Sequence, residues 1–197
     1  RAWTDRSRAN LKTDTLDLVQ LHCPPAAVFA SDLVYDGLDT LVDEGAIASY
    51  GVSVETVDDA LVAIQRPNLA SVQVVVNAFR LKPIERLLPR AAEAGIAIIA
   101  RVPLASGLLS GKYTTDTVFA ENDHRNYNRD GGAFDVGETF AGVDFEQGVA
   151  AAREFAEFAE RAAQDADRFV GAAEFVRLQR HGRCRCTGDF RSTGVHW

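Results

Sequence analysis

Four polar residues follow short apolar stretches of the sequence, at the points where predicted strands end. They are His22, Ser53, Asn77 and Arg101. In parallel α/β folds the carboxyl ends of the strands meet at one edge of the sheet, and active sites are built there. The imidazole of His22 could polarise a carbonyl oxygen, because it changes protonation near neutral pH. The alternative is a histidine that only marks the polar end of a buried strand.

A segment of small residues follows the last of these strands. PLASGLLSGK, residues 103 to 112, would let backbone N–H groups approach an anion such as a pyrophosphate. An ordinary turn with a solvated Lys112 is the alternative. Arg101, just before this segment, could stack on a planar ring or bind a phosphate, since its guanidinium is flat and always charged. It could equally be a salt-bridged residue at the rim of the site.

The cysteines predict neither a metal site nor a disulfide framework. Cys184 and Cys186 are spaced C-x-C, whereas structural zinc sites typically use C-x2-C pairs. His181 and His196 do not complete that pattern. We therefore predict no metal and reduced thiols. Cys23 has no placed catalytic partner, so a buried structural thiol is favoured over a nucleophile.

An alternation of strands and helices must position these residues. Apolar runs predict strands at residues 16–22, 49–54, 71–79 and 95–102. Their nearly continuous apolar character is typical of parallel strands buried on both faces. Amphipathic segments predict helices at residues 31–45, 55–67 and 82–95. A strand-helix-strand repeat of this spacing predicts an α/β fold with right-handed crossovers.

The apolar faces of two helices define the expected core contacts. The helix over residues 31–45 begins at Ser31 or Asp32. Its expected inward-facing residues are Leu33, Leu38, Leu41 and Val42. A later helix over residues 148–164 is predicted to turn a different set inward. That set is Val149, Phe155, Phe158 and Ala162.

Composition and charge favour small-molecule chemistry in one globular domain. The 197 residues carry a formal net charge of −7, and the pI is near 5.1. Nucleic-acid and polybasic membrane surfaces need clustered positive charge, so neither partner is expected. No apolar run approaches the roughly 20 residues that span a bilayer, and the start has no apolar segment of the signal-peptide type. We therefore expect a cytoplasmic protein.

The character of the chain changes after residue 164. Residues 1–164 contain about four βα units, a long polar loop and a helix. A loop of that length is usually a functional lid or a disordered segment. Residues 165–197 are rich in arginine and show no further βα unit. We expect them to form a divergent tail, with disorder as one outcome.

The ordered set DTLDLVQLHCPP, YGVSVET, VQVVVNAF and IIARVPLASGLLSGKY resembles the aldo/keto reductase superfamily. Members of that family are NADP(H)-dependent oxidoreductases built on a (β/α)8 TIM barrel. The resemblance therefore implies a barrel rather than an open sheet, here an incomplete one. It covers residues 5–163, and FAENDHRNYNRDGGAFDVGETFAG resembles the long lid-like loop of one bacterial branch of the family.

The resemblance also implies roles for individual residues. His22 corresponds to the catalytic histidine, which helps to orient the substrate carbonyl. Ser53 and Gln73 match positions that hydrogen-bond the nicotinamide carboxamide, although Val54 replaces a common asparagine. Arg101 stands where many members place an aromatic side chain that stacks on the nicotinamide. The segment that lies along the pyrophosphate is matched by Leu104, Ser106, Gly107 and Leu109.

The family's reaction delivers a hydride to a carbonyl carbon while a tyrosine, assisted by a lysine and an aspartate, protonates the oxygen. Those three residues lie on the first strands of the family's barrel, and no residue of this chain corresponds to them. We therefore expect an enzyme by family, with a small carbonyl substrate, that does not turn over as this chain. Two alternatives stay open. One is a noncatalytic nicotinamide-binding or regulatory module, and the other is a phosphate-binding barrel lyase or isomerase.

Overall fold

The computed structural model describes residues 1–133 and 139–164. The chain forms two compact units, of which unit 1 is Arg1–Pro103 and unit 2 begins at Leu104. The predicted tail lies outside the described residues, as do residues 134–138 of the predicted long loop. None of the described helices combines the length and the apolar composition that crossing a lipid bilayer requires.

Unit 1 is built on a parallel sheet. In order across the sheet, its strands are β1 (Val19–His22), β2 (Tyr50–Ser53), β3 (Ser71–Val75) and β4 (Ala97–Arg101). Each strand pairs in parallel with its neighbour. The helices of this unit are α1 (Ala2–Leu11), α2 (Ala26–Phe29), α3 (Asp32–Asp43), α4 (Val57–Ala63) and α5 (Lys82–Glu93). The predicted alternation is confirmed, although each strand is shorter than its apolar run.

One face of the sheet forms the core of unit 1. Val52 on β2 and Val72 on β3 are fully buried, and they cluster with Leu38 of α3 and Leu87 of α5. Successive side chains of a strand point to opposite faces. The residues between the core positions therefore lie on the second face, where the sheet carries its polar side chains.

The buried face of α3 differs from the predicted one. Leu33 is 83% exposed, so its predicted inward position is wrong. The buried residues of α3 are Tyr35, Leu38 and Leu41, which are three positions apart and share one face. Leu33 precedes Tyr35 by two positions and thus lies roughly 200° around the helix from it. Ser31 is the N-cap residue, as predicted.

Gly51 lies where a side-chain hydrogen bond crosses over β2. Gln20 Nε2 on β1 donates to Ser71 Oγ on β3 at 3.0 Å. A Cβ atom at Gly51 would lie 2.2 Å from that hydroxyl oxygen and 2.7 Å from the Ser71 carbonyl oxygen. The close approach of β3 therefore requires glycine at this position of the strand.

Unit 2 is organised around aromatic side chains. Its described helices are a 3₁₀ helix (Leu108–Ser110), α6 (His124–Tyr127), a second 3₁₀ helix (Thr139–Gly142) and α7 (Phe145–Gln164). An aromatic cluster is formed by Tyr113, Phe119, Phe140 and Phe145, with ring centroids 5.1 to 6.5 Å apart. The guanidinium of Arg125 lies 4.9 Å from the centre of the Phe119 ring. Aromatic packing and cation–π contacts thus take the place that a sheet has in unit 1.

The inward face of α7 corrects a second prediction. Val149 is buried as predicted, together with Ala152 and Ala159. Phe158 is 60% exposed and Phe155 is also exposed, so both were placed inward wrongly. Phe158 follows Val149 by nine positions, which puts it roughly 180° around the helix. The predicted inward position of the Ala162 side chain lies outside the described part of the chain.

Candidate active site

Three polar side chains form a row that runs from the carboxyl ends of β1 and β2 to the middle of β3. His22 is in register with Ser53, and Ser53 is in register with Gln73. Residues in register on neighbouring parallel strands lie on the same face, and the strands are about 4.8 Å apart. Val19 and Leu21 of β1 pack against the core, so this polar row occupies the opposite face. His22 is exposed and Gln73 is half-buried.

Arg101 on β4 reaches back across the sheet to the polar row. Its Nη1 donates to Ser53 Oγ at 3.2 Å and approaches Cys23 Sγ at 3.2 Å. Its Nη2 donates to Glu55 Oε1 at 2.8 Å, in an ion pair. The salt-bridged role that the sequence left open for Arg101 is therefore the one that the structure shows within unit 1.

Glu55 was not recognised as a site residue from the sequence. It follows Ser53 by two positions, and alternation along an extended chain keeps such residues on one side. This spacing from Ser53, itself a candidate site residue, is the signal in the sequence that points to Glu55. No local pattern, however, could have revealed that the carboxylate pairs with an arginine 46 positions later.

Cys23 donates its S–H to Glu55 Oε1 at 2.8 Å and lies 3.3 Å from Ser53 Oγ. Burial raises the pKa of the Cys23 thiol, and the hydrogen bond to Glu55 raises it further. The contacts with Ser53 and Arg101 lower the pKa by smaller amounts. A thiol with a raised pKa stays protonated at neutral pH and is a poor nucleophile. The geometry agrees with a structural role for Cys23.

Ser53 is the most enclosed member of the polar row. Its side chain has no exposed surface. Its Oγ accepts a hydrogen bond from Arg101 and lies within hydrogen-bonding distance of Cys23. Any external group that binds the Ser53 hydroxyl must therefore reach it while the Arg101 guanidinium is displaced.

Asn77 does not join the polar row, although the sequence placed it with the other strand-end residues. Its Nδ2 donates to the Val102 carbonyl oxygen at 3.0 Å, and its Oδ1 accepts from the Phe79 N–H at 2.9 Å. Val102 has a φ of 51°, a left-handed conformation that a β-branched residue rarely adopts. Asn77 thus supports the backbone that follows β4.

The small-residue segment of unit 2 has a tightly folded backbone of its own. Ala105 and Ser106 both have positive φ, and the N–H groups of Gly107 and Leu109 both donate to the Leu104 carbonyl oxygen. Those two N–H groups therefore already have a hydrogen-bond acceptor within the segment. Leu109 is buried.

Gly107 is required by a neighbouring side chain. A Cβ atom there would lie 2.6 Å from Tyr113 Oη, and the residue has a φ of 92°. The glycine makes room for the tyrosine at the edge of the aromatic cluster. This structural requirement explains a residue that the sequence linked to pyrophosphate binding.

Within residues 1–133 and 139–164, no group of three or more histidine, cysteine, aspartate or glutamate side chains is placed to hold a metal ion. The predicted cysteine and histidine positions near the carboxyl end lie outside that part of the chain.

Comparison with known proteins decides the family. A family model described as the aldo/keto reductase family matches residues 1–168. The chain belongs to this family. Aldo/keto reductases are oxidoreductases that act on carbonyl compounds, so the predicted resemblance is confirmed.

Two bacterial relatives illustrate the sequence similarity. Aldo-keto reductase YhdN of Bacillus subtilis is 30% identical over 124 residues, which cover 63% of this chain and 37% of that protein. A protein described as uncharacterized oxidoreductase YqkF, of the same organism, is 32% identical over 107 residues, which cover 54% of this chain and 34% of that protein. The chain thus spans about a third of the length of these two relatives.

Solved structures support the fold. Glycerol dehydrogenase AKR11B4 from Gluconobacter oxydans superposes with a TM-score of 0.63 and 28% identity, covering 82% of this chain and 46% of that one. The holo form of aldo-keto reductase AKR11C1 from Bacillus halodurans gives a TM-score of 0.52 and 26% identity, covering 61% and 40%. Four parallel strands with this likeness confirm the predicted incomplete (β/α)8 barrel.

Proposed function

We propose that this chain is the part of an NADP(H)-dependent carbonyl reductase that holds the nicotinamide carboxamide and orients the substrate carbonyl. The observation that carries the proposal is the polar row, in which strand register sets His22, Ser53 and Gln73 side by side. An aldo/keto reductase needs a donor for the carbonyl oxygen next to the group that binds the carboxamide. The row supplies both kinds of side chain in adjacent positions.

The chemistry of the row fits a nicotinamide. A carboxamide presents one carbonyl acceptor and one NH2 donor, and the side-chain amide of Gln73 offers the complementary pair. The Ser53 hydroxyl can add a further hydrogen bond once Arg101 has moved away from it. The flat guanidinium of Arg101 is suited to lie against a planar ring. When bound, a reduced nicotinamide supplies the hydride that such a reduction needs.

His22 is the residue that orients the carbonyl. Its exposed imidazole can donate an N–H to the carbonyl oxygen and so polarise the C=O bond. The described residues of the row include no tyrosine that could protonate that oxygen. We therefore propose that residues 1–197 bind the cofactor and position a carbonyl without turning it over.

Unit 2 is assigned a separate part in this proposal. Leu104, Ser106, Gly107 and Leu109 are proposed to line the cofactor pyrophosphate. The N–H groups of Gly107 and Leu109 already bind the Leu104 carbonyl oxygen, and the Ser106 hydroxyl is proposed as a donor to the pyrophosphate.

Binding of NADPH to the purified chain tests the proposal directly. Gln73→Leu removes the amide and is expected to weaken NADPH binding about 5- to 20-fold, as the loss of one or two hydrogen bonds to a bound group does. Gln65→Leu is the matched control, because Gln65 is an exposed glutamine beyond the end of α4. Titration by quenching of the cofactor fluorescence gives both affinities.

Two results would count against this function. Equal NADPH affinity in the Gln73→Leu and Gln65→Leu variants would remove the polar row from the cofactor site. Consumption of NADPH with an aldehyde, above the background rate, would contradict the absence of turnover. Melting curves of both variants show whether the fold is retained.

A further inference from the structure

The hydrogen bond between Gln20 and Ser71 lies one layer below the polar row. We propose that Gln20 is a positioning residue of the site, whose bond to Ser71 holds β1 on the sheet and so keeps His22 in its place. The inference rests on the function proposed above, since it concerns the residue that orients the carbonyl. Neither the family resemblance nor the comparisons give Gln20 a role.

Strand register places this bond and the polar row in adjacent layers of one face. Gln20 is in register with Gly51, and Gly51 is in register with Ser71. On each of the three strands, the member of the polar row follows two positions later. Residues two positions apart on a strand share a face and lie about 6.6 Å apart. The bond therefore lies directly next to the polar row, on the side of the amino ends of the strands.

The bond joins β1 to β3 across the strand that separates them. Gln20 Nε2 donates to Ser71 Oγ at 3.0 Å, and a Cβ atom at Gly51 would lie only 3.1 Å from that Nε2. The glycine thus leaves open the space over β2 through which the side chain of Gln20 passes. Ser71 is buried. A buried polar group that loses its partner is left unsatisfied, so breaking this bond costs more than breaking one on an open surface.

β1 depends more on such a bond than the strands in the middle of the sheet do. Among the described strands, β1 has one neighbour, whereas β2 and β3 have two each. It is four residues long, and His22 is its last residue. Because His22 is exposed, the position of its imidazole follows mainly from the backbone of β1. A hydrogen bond that fixes β1 on β3 therefore also fixes His22.

Ser71 holds the Gln20 amide from one end. Gln20 Oε1 is buried and accepts no hydrogen bond within the part of the chain that the structure describes. Loss of the Ser71 hydroxyl therefore breaks the same link between the strands as loss of the Gln20 amide. Ser71→Ala is thus an independent test of the same bond.

The proposal predicts different effects on the two halves of the site. Gln73 lies on β3, and its carbonyl oxygen accepts from the Val54 N–H after β2 at 2.9 Å. Gln20 takes no part in that contact. In Gln20→Leu the NADPH affinity should therefore stay within about twofold of the wild type, whereas His22 should lose its fixed place. A purely structural role for Gln20 would lower the melting temperature and leave the folded site unchanged.

The first measurement uses the full chain without cofactor, by proton–nitrogen correlation NMR at a temperature well below the melting point of every variant. The Cys23 N–H, at the end of β1, donates to the Ser53 carbonyl oxygen at 3.1 Å. Its chemical shift reports the length of that contact and should move upfield in Gln20→Leu and in Ser71→Ala. The double variant should give the same shift as either single variant, because all three lack one bond. The Val54 N–H signal should not move.

The second measurement adds NADPH and follows the imidazole signal of His22, which the His22→Gln variant identifies. In the wild type this signal should shift as the cofactor binds, and in Gln20→Leu most of that shift should be lost. Quenching of the cofactor fluorescence gives the affinity of the same samples. Gln65→Leu is the matched control, since it makes the same change in the exposed glutamine beyond α4. It should leave both signals as they are in the wild type.

The outcomes separate the two proposals. Unchanged Cys23 and His22 signals in folded Gln20→Leu overturn the role of Gln20 and leave the proposed function standing. A loss of NADPH affinity as large as that of Gln73→Leu also overturns it, since the bond would then act on the whole sheet. Failure of the wild type to bind NADPH overturns the proposed function, while the Cys23 signal still decides whether Gln20 holds β1. If Gln20→Leu does not fold, Ser71→Ala decides alone, and an unchanged Cys23 signal there rejects the inference.

Discussion

The two units of this chain place their side chains by different physical means. In unit 1 the polar row is set by strand register, since His22, Ser53 and Gln73 occupy paired positions on neighbouring parallel strands. The described residues of unit 2 form no comparable set of paired strands. Aromatic rings, arginines over those rings and residues with positive φ define that unit instead.

This difference explains why sequence analysis was informative for one unit and less so for the other. The faces on which the residues of a strand lie follow from its two-residue alternation, which is visible in a sequence. Aromatic packing depends on which rings meet in space. Three substitutions test this comparison.

The largest effect is expected at the aromatic cluster of unit 2. Phe140 is fully buried and contacts the rings of Tyr113, Phe119 and Phe145. Phe140→Ala should lower the free energy of unfolding by about 3–5 kcal/mol, because it removes apolar contacts and leaves a cavity. Urea denaturation followed by circular dichroism measures this change.

The control for that substitution is Phe158→Ala, since Phe158 is exposed on α7 of the same unit. It should alter stability by no more than about 0.5 kcal/mol. Similar decreases in the free energy of unfolding for both variants would mean that the aromatic cluster does not stabilise unit 2. Faster amide exchange in α6 and α7 of the Phe140→Ala variant would locate the effect.

The second effect tests the packing of the sheet in unit 1. Gly51→Ala should destabilise the chain by about 1–3 kcal/mol, because the new methyl group would overlap two oxygens of Ser71. Gly37→Ala is the matched control, since Gly37 is an exposed residue of α3 and no atom would lie within 4 Å of a Cβ there. That control should stabilise the helix by about 0.5–1 kcal/mol.

The informative result is that Gly51→Ala lowers the stability of the chain whereas Gly37→Ala raises it. A neutral Gly51→Ala variant would show that β3 can move away from β2, so that strand register would be a weaker constraint on the polar row than we infer. Thermal melting of both variants in one buffer gives the comparison.

The smallest effect concerns an ion pair in unit 2. Asp123 accepts hydrogen bonds from Arg125, whose guanidinium also contacts Tyr113 and lies over Phe119. Arg125 lowers the pKa of the Asp123 carboxyl from 3.8 to about 2, mainly through its side chain and also through its backbone N–H. A lowered pKa means that the ionised form is favoured in the folded state. Its stabilising contribution is therefore present above 3.8 and is lost as the pH falls towards 2.

Asp123→Asn should accordingly reduce the melting temperature at neutral pH. The difference in melting temperature from the wild type should disappear as the pH falls from 3.8 towards 2. Glu121→Gln, an exposed carboxylate in the same loop, is the control. A constant difference between wild type and Asp123→Asn at all pH values would show that the ion pair contributes nothing to unit 2.

Particular residues show which features of the structure could be predicted from the sequence. The four strands, three helices of unit 1 and the strand-end positions of His22 and Ser53 follow from periodicity and spacing, whereas Gln73 was indicated only by the family resemblance. The predictions for Leu33 and Phe158 are wrong because each is apolar but lies roughly 180–200° around its helix from the buried residues. Asn77 was grouped with the site by position alone, whereas its amide binds the backbone around Val102.

What the sequence by itself determined is the order of parallel strands and the set of polar residues at their ends, because both depend on short-range periodicity. The tertiary structure alone decided how those residues are paired. Arg101 meets Glu55 and Cys23 across 46 and 78 positions of the chain, and Gly51 is needed only because Ser71 comes close to it. Such contacts depend on which strands are neighbours in space and how closely they approach, and no local pattern of residues encodes that distance.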